Sequence, residues 1–502
     1  MGWTHFLAVQ DKQPVATEKY RELDKKRWLV RYLVLASILV ILGIKLYLLI
    51  YVVDFTVGFY SFLTSFLLFN VFFLSYVKYR DPFVAVKDVI IPEDQKPLVS
   101  ILVPVKNEVG NIRNCVQSCL DSSYSNKEVI IINDASTDGT AAILDEMRKE
   151  VGPKLLIMHL SKSVGKKGAI EAGSQIAKGE IYAMMDSDCD IASDAIEHAV
   201  KIFYADRRVG AVTGHARVRG AASKTMLKIM DVWFDGQFRL LKGMETSFSS
   251  LTCCSGALSI YRREAVHQHI HAWAHDNFLG IKNFKFATDR RLTAYVLGAK
   301  PEDIWKRKIT TGEQASNNNG SDNSNIPIIQ TGKDDLNTLS SSSDPDQEDL
   351  KKDRRRYAWK LVYSPNVRVT AGVPETLMGL IRQQIRWRKS FIRSITATGG
   401  LYWRRPLYAA FLYYLILGLK LTRPFVVVKA LLFLPLSGDL TTSLLYIAGI
   451  MYTGMLYGID VRLRNPGYPY WLYRPAMTAL STFVLSWLIF YAAITIRKES
   501  WR

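Results

Sequence analysis

Three acids at alternate positions, Asp186, Asp188 and Asp190, close the stretch I-Y-A-M-M-D-S-D-C-D. An apolar run of strand length precedes them. Alternate residues of an extended chain point the same way, so the spacing predicts carboxylates converging on one point. Acids held that close repel one another unless a cation sits among them. Their oxygens suit Mg2+ or Mn2+, and such ions suit a diphosphate. A solvated acidic turn explains the same short string equally well, so its surroundings must decide between the two.

Those surroundings are strand-like runs alternating with helical ones. Leu98 to Val105, Val129 to Ile132, Leu155 to Leu160 and Ile181 to Met185 are β-rich and apolar, with Asn111 to Leu120 reading as a helix between the first two. This alternation predicts a parallel sheet covered on both faces, and such sheets bind ligands beyond the carboxyl ends of their strands. Three of those ends carry polar groups: Lys106, Asn107 and Glu108, then Asp134 to Asp138, then Asp186 to Asp190. Asp138 reads as the cap of a helix beginning near Thr140. Gly165, Lys166, Lys167 and Gly168 precede another helix, where glycine backbone and two ammonium groups favour a phosphate, although the Walker spacing is absent.

Further along, Thr252 to Arg263 reads as one strand, with Gly256 marking a close backbone approach. His267, His269, His271 and His275 invite a zinc reading, but no second pair completes a recognised spacing, and a solvated amphipathic segment accounts for them. Asp289 stands before a helix, where capping is its plainest role. In Pro374 to Arg393, read as a helix, Gln383, Arg386 and Trp387 share one face, while Leu377, Leu380, Ile381 and Ile392 with Arg382, Arg388, Lys389 and Arg393 suggest an amphipathic helix on a membrane surface.

The totals bound the rest. The chain has 502 residues, too many for one compact core, and a formal net charge of +19. Its Lys and Arg cluster beside apolar runs, which points to membrane flanks and argues against a nucleic-acid partner. Five cysteines without disulfide-dense spacing fit free thiols in a reducing compartment. Two apolar runs, Leu29 to Val53 and Phe55 to Val77, are long enough to cross a bilayer as a hairpin. They are interrupted only by Asp54 and by Lys45, which would snorkel or face a protein interior. Basic flanks place the tail and the central domain in the cytoplasm. Near the other end Pro406 to Leu419, Phe425 to Leu436, Leu444 to Tyr457 and Met477 to Ile496 give two to four crossings, the last the clearest, with Arg462 and Arg464 falling on the unexpected side.

The organisation expected is therefore a basic tail over 1–28, a transmembrane hairpin over 29–80, a catalytic domain over 97–310, a disordered polar insertion over 311–356, an interfacial helix region over 357–403 and a C-terminal transmembrane region over 404–497.

Taken in order, N-D-A-S-T-D, G-K-K-G-A, D-S-D, S-G-A-L-S-I-Y-R-R, T-D-R-R-L-T and Q-Q-I-R-W resemble the processive family 2 glycosyltransferases. Within that group they are most similar to hyaluronan synthases, with chitin and nodulation-type synthases close. The resemblance implies an α/β GT-A domain with a mixed, mostly parallel sheet, set between N- and C-terminal transmembrane helices and carrying amphipathic interfacial helices. It implies UDP-sugar donors, UDP-GlcNAc and UDP-glucuronate, a growing polysaccharide, a lipid bilayer, and a multi-pass protein of the plasma membrane with its catalytic domain in the cytoplasm. It also assigns residues. Asp134 and Lys166 or Lys167 would bind the uracil end of the donor and Asp186 the nucleotide. Asp188 would hold Mg2+ or Mn2+, Gln383 and Arg386 would meet the nucleotide, and Asp289 would be the general base. Ser255, Gly256 and Trp387 would bind the acceptor, and Asp190 would be structural.

There are departures from the family pattern. Thr288 stands where the family usually has a second acid, and Thr213 to Gly220 is less acidic than its counterpart, which bears on the donor. Two alternatives stay open: a synthase using one donor for a chitin-like or other β-glycan, and a non-catalytic membrane component of polysaccharide secretion.

Overall fold

A computed structural model gives the structure and describes residues 18–299 and 358–498. The insertion expected over 311–356 and the first part of the basic tail lie outside the described residues. The described parts of Met1–Lys78 with Leu419–Val484 form one compact unit, and those of Tyr79–Gly418 with Leu485–Arg502 form a second.

The second unit is built on eight strands: β1 (Val99–Val105), β2 (Lys127–Asn133), β3 (Leu155–His159), β4 (Ile181–Met184), β5 (Cys189–Ile191), β6 (Val209–Val218), β7 (Ser259–Arg262) and β8 (Lys360–Ala371). They lie in the order β3-β2-β1-β4-β7-β6-β8-β5. The pairs β1–β2, β2–β3, β1–β4 and β6–β8 are parallel; β7 runs antiparallel to both its neighbours, and β5 antiparallel to β8. Every residue of β1 is buried, as a parallel strand covered on both faces requires, and its Ile101, Leu102 and Val103 pack among Ile130, Ile131 and Ile132 of the next strand. Each such side chain contributes about 1.5–3 kcal/mol by leaving water.

Thr252 to Arg263 is not one strand. Only Ser259–Arg262 joins the sheet. Before it, backbone donors are claimed by side chains: Cys254 N by Thr293 Oγ1 at 2.9 Å, Ser255 N by Thr213 Oγ1 at 2.9 Å and Gly256 N by Asp289 Oδ2 at 3.1 Å. A segment whose N–H groups are spent this way has none left for a ladder.

Fourteen helices are named in chain order: α1 (Glu18–Tyr51), α2 (Phe55–Phe73), α3 (Ile112–Leu120), α4 (Thr140–Val151), α5 (Gly165–Ile176), α6 (Ala195–Ala205), α7 (Thr225–Gly236), α8 (Arg263–Ala274), α9 (Thr288–Gly298), α10 (Leu377–Ala397), α11 (Leu407–Val428), α12 (Leu440–Arg464), α13 (Tyr473–Phe483) and α14 (Leu488–Ile494). Thr376 caps α10 by accepting from Gly379 N at 3.2 Å. Two cations that the pattern placed on the polar face of α10, Lys389 and Arg393, are instead buried. Arg393 donates to both oxygens of Asp276, at 2.7 and 2.9 Å, and so fastens α10 to the loop after α8. Burial alone would raise the Asp276 pKa, but Arg393 and Arg291 hold it below the usual carboxylate value.

In the first unit the two polar interruptions of the hairpin have partners. Lys45 Nζ donates to Ser65 Oγ at 2.7 Å and to Ser61 O at 3.2 Å, so it faces protein. Asp54 caps α2 by accepting from Val57 N and pairs with Lys429 at 2.9 Å. Arg464 pairs with Asp460 at 2.8 Å, and Tyr76 donates to the same carboxylate, so this arginine is no free flanking charge.

Among the described residues three helical segments, Arg27–Tyr51, Phe55–Lys78 and Leu440–Arg464, are long and apolar enough to cross a membrane. Met477 to Ile496 is not one continuous helix: α13 ends at Phe483 and a short 3-10 turn, Leu485–Trp487, precedes α14. Counted as one broken span, that region would make four.

Candidate active site

The parallel register pairs Val105 with Asn133 and Leu102 with Met184, so β1, β2 and β4 end on the same side of the sheet. Beyond β4 the three acids do not converge as an extended chain would place them. The chain turns at Ser187 and Asp188, closed by Cys189 N donating to Asp186 O at 3.1 Å. The turn sends Asp190 elsewhere, to an ion pair with Arg219 at 2.6 Å. Arg219 also donates to Asn111 Oδ1 and to Asp188 O, at 2.8 and 2.9 Å, and so holds the turn's shape.

Asp289, in the first turn of α9, meets the acids from the other side. Lys166, in the first turn of α5, lies between them, 2.5 Å from Asp186 Oδ1 and 3.4 Å from Asp289 Oδ1. Gly256 completes the cluster. Its carbonyl accepts from Asp186 N at 3.0 Å, and its N–H donates to Asp289 Oδ2. A Cβ there would stand 2.8 Å from Asp289 Oδ2 and 2.9 Å from Asp186 Oδ2, so only glycine allows both acids this close. Thr288 donates its hydroxyl to Asp289 Oδ1 at 3.0 Å, while its carbonyl accepts from Trp273 Nε1 at 2.8 Å. Thr288 therefore orients the acid that follows it.

The charges at this site are unevenly compensated. Burial works against the Lys166 ammonium, yet Asp186 and Asp289 outweigh it and raise its pKa. Burial and the negative charge of Asp186 push Asp188 up to about 6. Burial lowers the pKa of Arg386, against the opposing attraction of Asp186 and Asp188. Arg386 thus feels both acids from α10.

Several expected residues stand elsewhere. Lys167, one helical step beyond Lys166, points away: it is buried, donates to Phe284 O at 2.8 Å, and burial lowers its pKa to about 8. Asp134 is buried with both oxygens occupied, by Ser163 Oγ at 2.7 Å, Val164 N at 2.6 Å and Gly165 N at 3.0 Å. It thereby ties the end of β2 to the start of α5. Ser255 adjoins Gly256, held through its backbone by Thr213. Gln383 Oε1 is shut away from solvent with no hydrogen-bond partner among the described residues. Trp387 is partly exposed beside Trp233 and Phe234 of α7, with ring centroids at 5.8 and 6.3 Å. That aromatic pair escaped the sequence reading; its only signal was two adjacent large rings in a helix, which reads as ordinary core.

A mixed, mostly parallel sheet with acids at the strand ends defines a GT-A-like domain. Residues 100–270 match the model described as glycosyl transferase family 2. A hyaluronan synthase of Streptococcus pyogenes is 24% identical over 416 residues, covering 82% of this chain and 83% of that protein. A poly-beta-1,6-N-acetyl-D-glucosamine synthase of Staphylococcus epidermidis is 29% identical over 168 residues, 34% of this chain and 40% of that protein. Among solved structures, a mannosyltransferase of Pyrobaculum calidifontis in complex with GDP-Man and Mn2+ covers 86% of this chain and 99% of its own, at 17% identity and a TM-score of 0.45, too loose a match to inform the chemistry here. Residues 100–270 thus carry a family 2 glycosyltransferase domain.

Proposed function

We propose that the chain is a membrane-embedded, processive, inverting transferase of the plasma membrane, with its catalytic domain in the cytoplasm. It joins UDP-GlcNAc and UDP-glucuronate into hyaluronan and passes the polymer across the bilayer. The observation that carries the reaction is Asp289 held within one cluster with Gly256, Lys166 and Asp186. Match to a hyaluronan synthase along most of both chains supports the product.

In this reading the acceptor hydroxyl gives its proton to Asp289 as its oxygen bonds to the anomeric carbon of the donor. The bond from that carbon to the diphosphate breaks, and UDP leaves with the electron pair. Lys166 and Arg386 offset the negative charge developing on the leaving diphosphate, and Gln383, on the same face of α10 as Arg386, would meet the nucleotide. Asp134 contributes by fixing the loop that positions Lys166. Trp387, with Trp233 and Phe234 behind it, offers a ring to the acceptor sugar.

The residues present also fit a hard divalent cation. Asp186 and Asp188 are neighbouring oxygen donors, and burial together with the negative charge of Asp186 raises the Asp188 pKa. Mg2+ or Mn2+ held there by Asp188, when bound, would neutralise the donor's diphosphate.

A single-donor reading draws support from the poly-N-acetylglucosamine synthase relative. Purified protein given UDP-GlcNAc and UDP-glucuronate singly and together separates the two. Polymer only from the pair is the expected result, and polymer from UDP-GlcNAc alone would replace hyaluronan with a β-linked homopolymer. The absence of any UDP release would favour the non-catalytic alternative.

A further inference from the structure

Away from the strand-end acids, α5 and α8 bring three ligand-type side chains together. Glu171 Oε1 lies 2.6 Å from His271 Nδ1, and its Oε2 lies 3.2 Å from His275 Nε2. The two imidazole centroids are 4.6 Å apart, and one donor atom from each of the three residues lies within 4.8 Å of the others. The histidines are four residues apart at the end of α8, so both project toward α5. The geometry points to a second divalent-cation site formed by Glu171, His271 and His275, suited to Zn2+.

Donor chemistry separates this site from the first. Two imidazole nitrogens and one carboxylate suit Zn2+ and other borderline transition metals, whereas Mg2+ prefers oxygen. His275 Nδ1 lies 3.3 Å from Asn283 Oδ1. An N–H shared with that amide oxygen leaves Nε2, the nitrogen facing Glu171, to bind a cation, the outer-shell arrangement that zinc histidines use. His271 is 80% exposed and His275 52%, so the ion has access from solvent and water can complete its coordination. His267 and His269 take no part, being placed against Tyr182 and Tyr295.

The site reaches the reaction through the helices it joins. Its carboxylate stands on α5, whose first turn carries Lys166. Its histidines end α8, whose Trp273 holds the carbonyl immediately before Asp289. An ion bound there clamps together the two elements that set the distance between Lys166 and Asp289.

Full-length protein, free of any histidine tag and stripped with chelator, is titrated with Zn2+ against a fluorescent zinc indicator in excess Mg2+. One tightly bound Zn2+ per chain is expected, with a rise in thermal midpoint. His271→Ala and His275→Ala should each weaken binding at least about tenfold, while Asp188→Asn leaves it unchanged. Cobalt provides a second measurement that needs no variant, since histidine-bound Co2+ in the wild-type protein gives visible absorption bands that Zn2+ abolishes. Unaltered zinc affinity in the double histidine variant, loss confined to Asp188→Asn, or no displaceable cobalt bands would each overturn the proposal.

Discussion

The catalytic unit holds two clusters of acids and cations, one buried and one partly open to solvent, and they are managed in opposite ways. On β6 and α7, Asp231 is gripped by Arg217 at 2.6 Å, while Asp235 stands 3.1 Å from Arg239, 3.7 Å from Arg217 and 3.5 Å from His215. Despite complete burial, the charge of Arg239, with His215 and Arg217 beside it, depresses the Asp235 pKa far below the carboxylate range. At the ends of β1, β2 and β4, Asp188 is pushed the other way, with negative Asp186 as its neighbour. A compensated cluster can only hold the fold together. An undercompensated one leaves a standing attraction for a cation and for the phosphates it accompanies, and that deficit marks the functional site more surely than burial or acidity does.

Replacing one acid in each cluster breaks the comparison most directly. Asp289→Asn should lower UDP release by about 100- to 10,000-fold, the usual worth of a general base, with little change in thermal midpoint. Asp235→Ala should do the reverse: it leaves Arg239 and Arg217 facing an emptied buried site, costing about 3 kcal/mol of stability, while the protein that remains folded keeps its turnover. Equal losses of activity and stability in both variants would erase the distinction.

The same contrast explains what the sequence discloses. The strand-end pattern was legible because β1 to β4 are near-continuous apolar runs that stop at polar residues, so Asp186 and Asp188 could be singled out; Asp289, which by pattern alone is a helix cap, stood out only through the family resemblance. Which lysine reaches them was not: Lys166 and Lys167 are adjacent and chemically alike, and only the start of α5 settles which one faces the acids. Asp190 could be set apart as structural, but its partner could not be seen, since Arg219, which draws it away, lies 29 residues on. The loop before β7 looked like strand because the side chains that capture its N–H groups, Thr213, Asp289 and Thr293, are remote in the chain. Glu171 was missed as a histidine partner for the same reason, lying 100 residues before His271. Residue identity was readable; pairings across the sheet were not.

Gly256 sharpens the comparison from the backbone side. Gly256→Ala puts a methyl group 2.8 Å from Asp289 Oδ2 and 2.9 Å from Asp186 Oδ2, so the two acids must part. Displacement of that size should reduce kcat about 100-fold. The thermal midpoint should hardly move, because the strain falls on side chains in an open site. A large loss of stability with kcat preserved would show that Gly256 serves packing instead.

The smallest effect belongs to the compensated cluster and is read by pH. His215 is buried, its Nδ1 2.8 Å from the Tyr363 hydroxyl, and burial together with the Arg239 charge lowers its pKa from 6.5 to about 4. Below pH 6.5 the unfolded chain takes up a proton at this position that the folded chain refuses. Its contribution to stability is therefore complete above pH 6.5 and declines as the pH falls toward 4, by at most about 3 kcal/mol for a shift of that size. Asp235, whose pKa is depressed instead, withdraws its contribution only at lower pH, once the unfolded carboxylate begins to protonate. In His215→Gln the amide can still meet Tyr363 but cannot titrate, so the stability difference from wild type should shrink between pH 7 and pH 4.5. A difference that stays constant across that interval would mean that His215 is not held neutral, and that the cluster on β6 and α7 is less completely compensated than its geometry indicates.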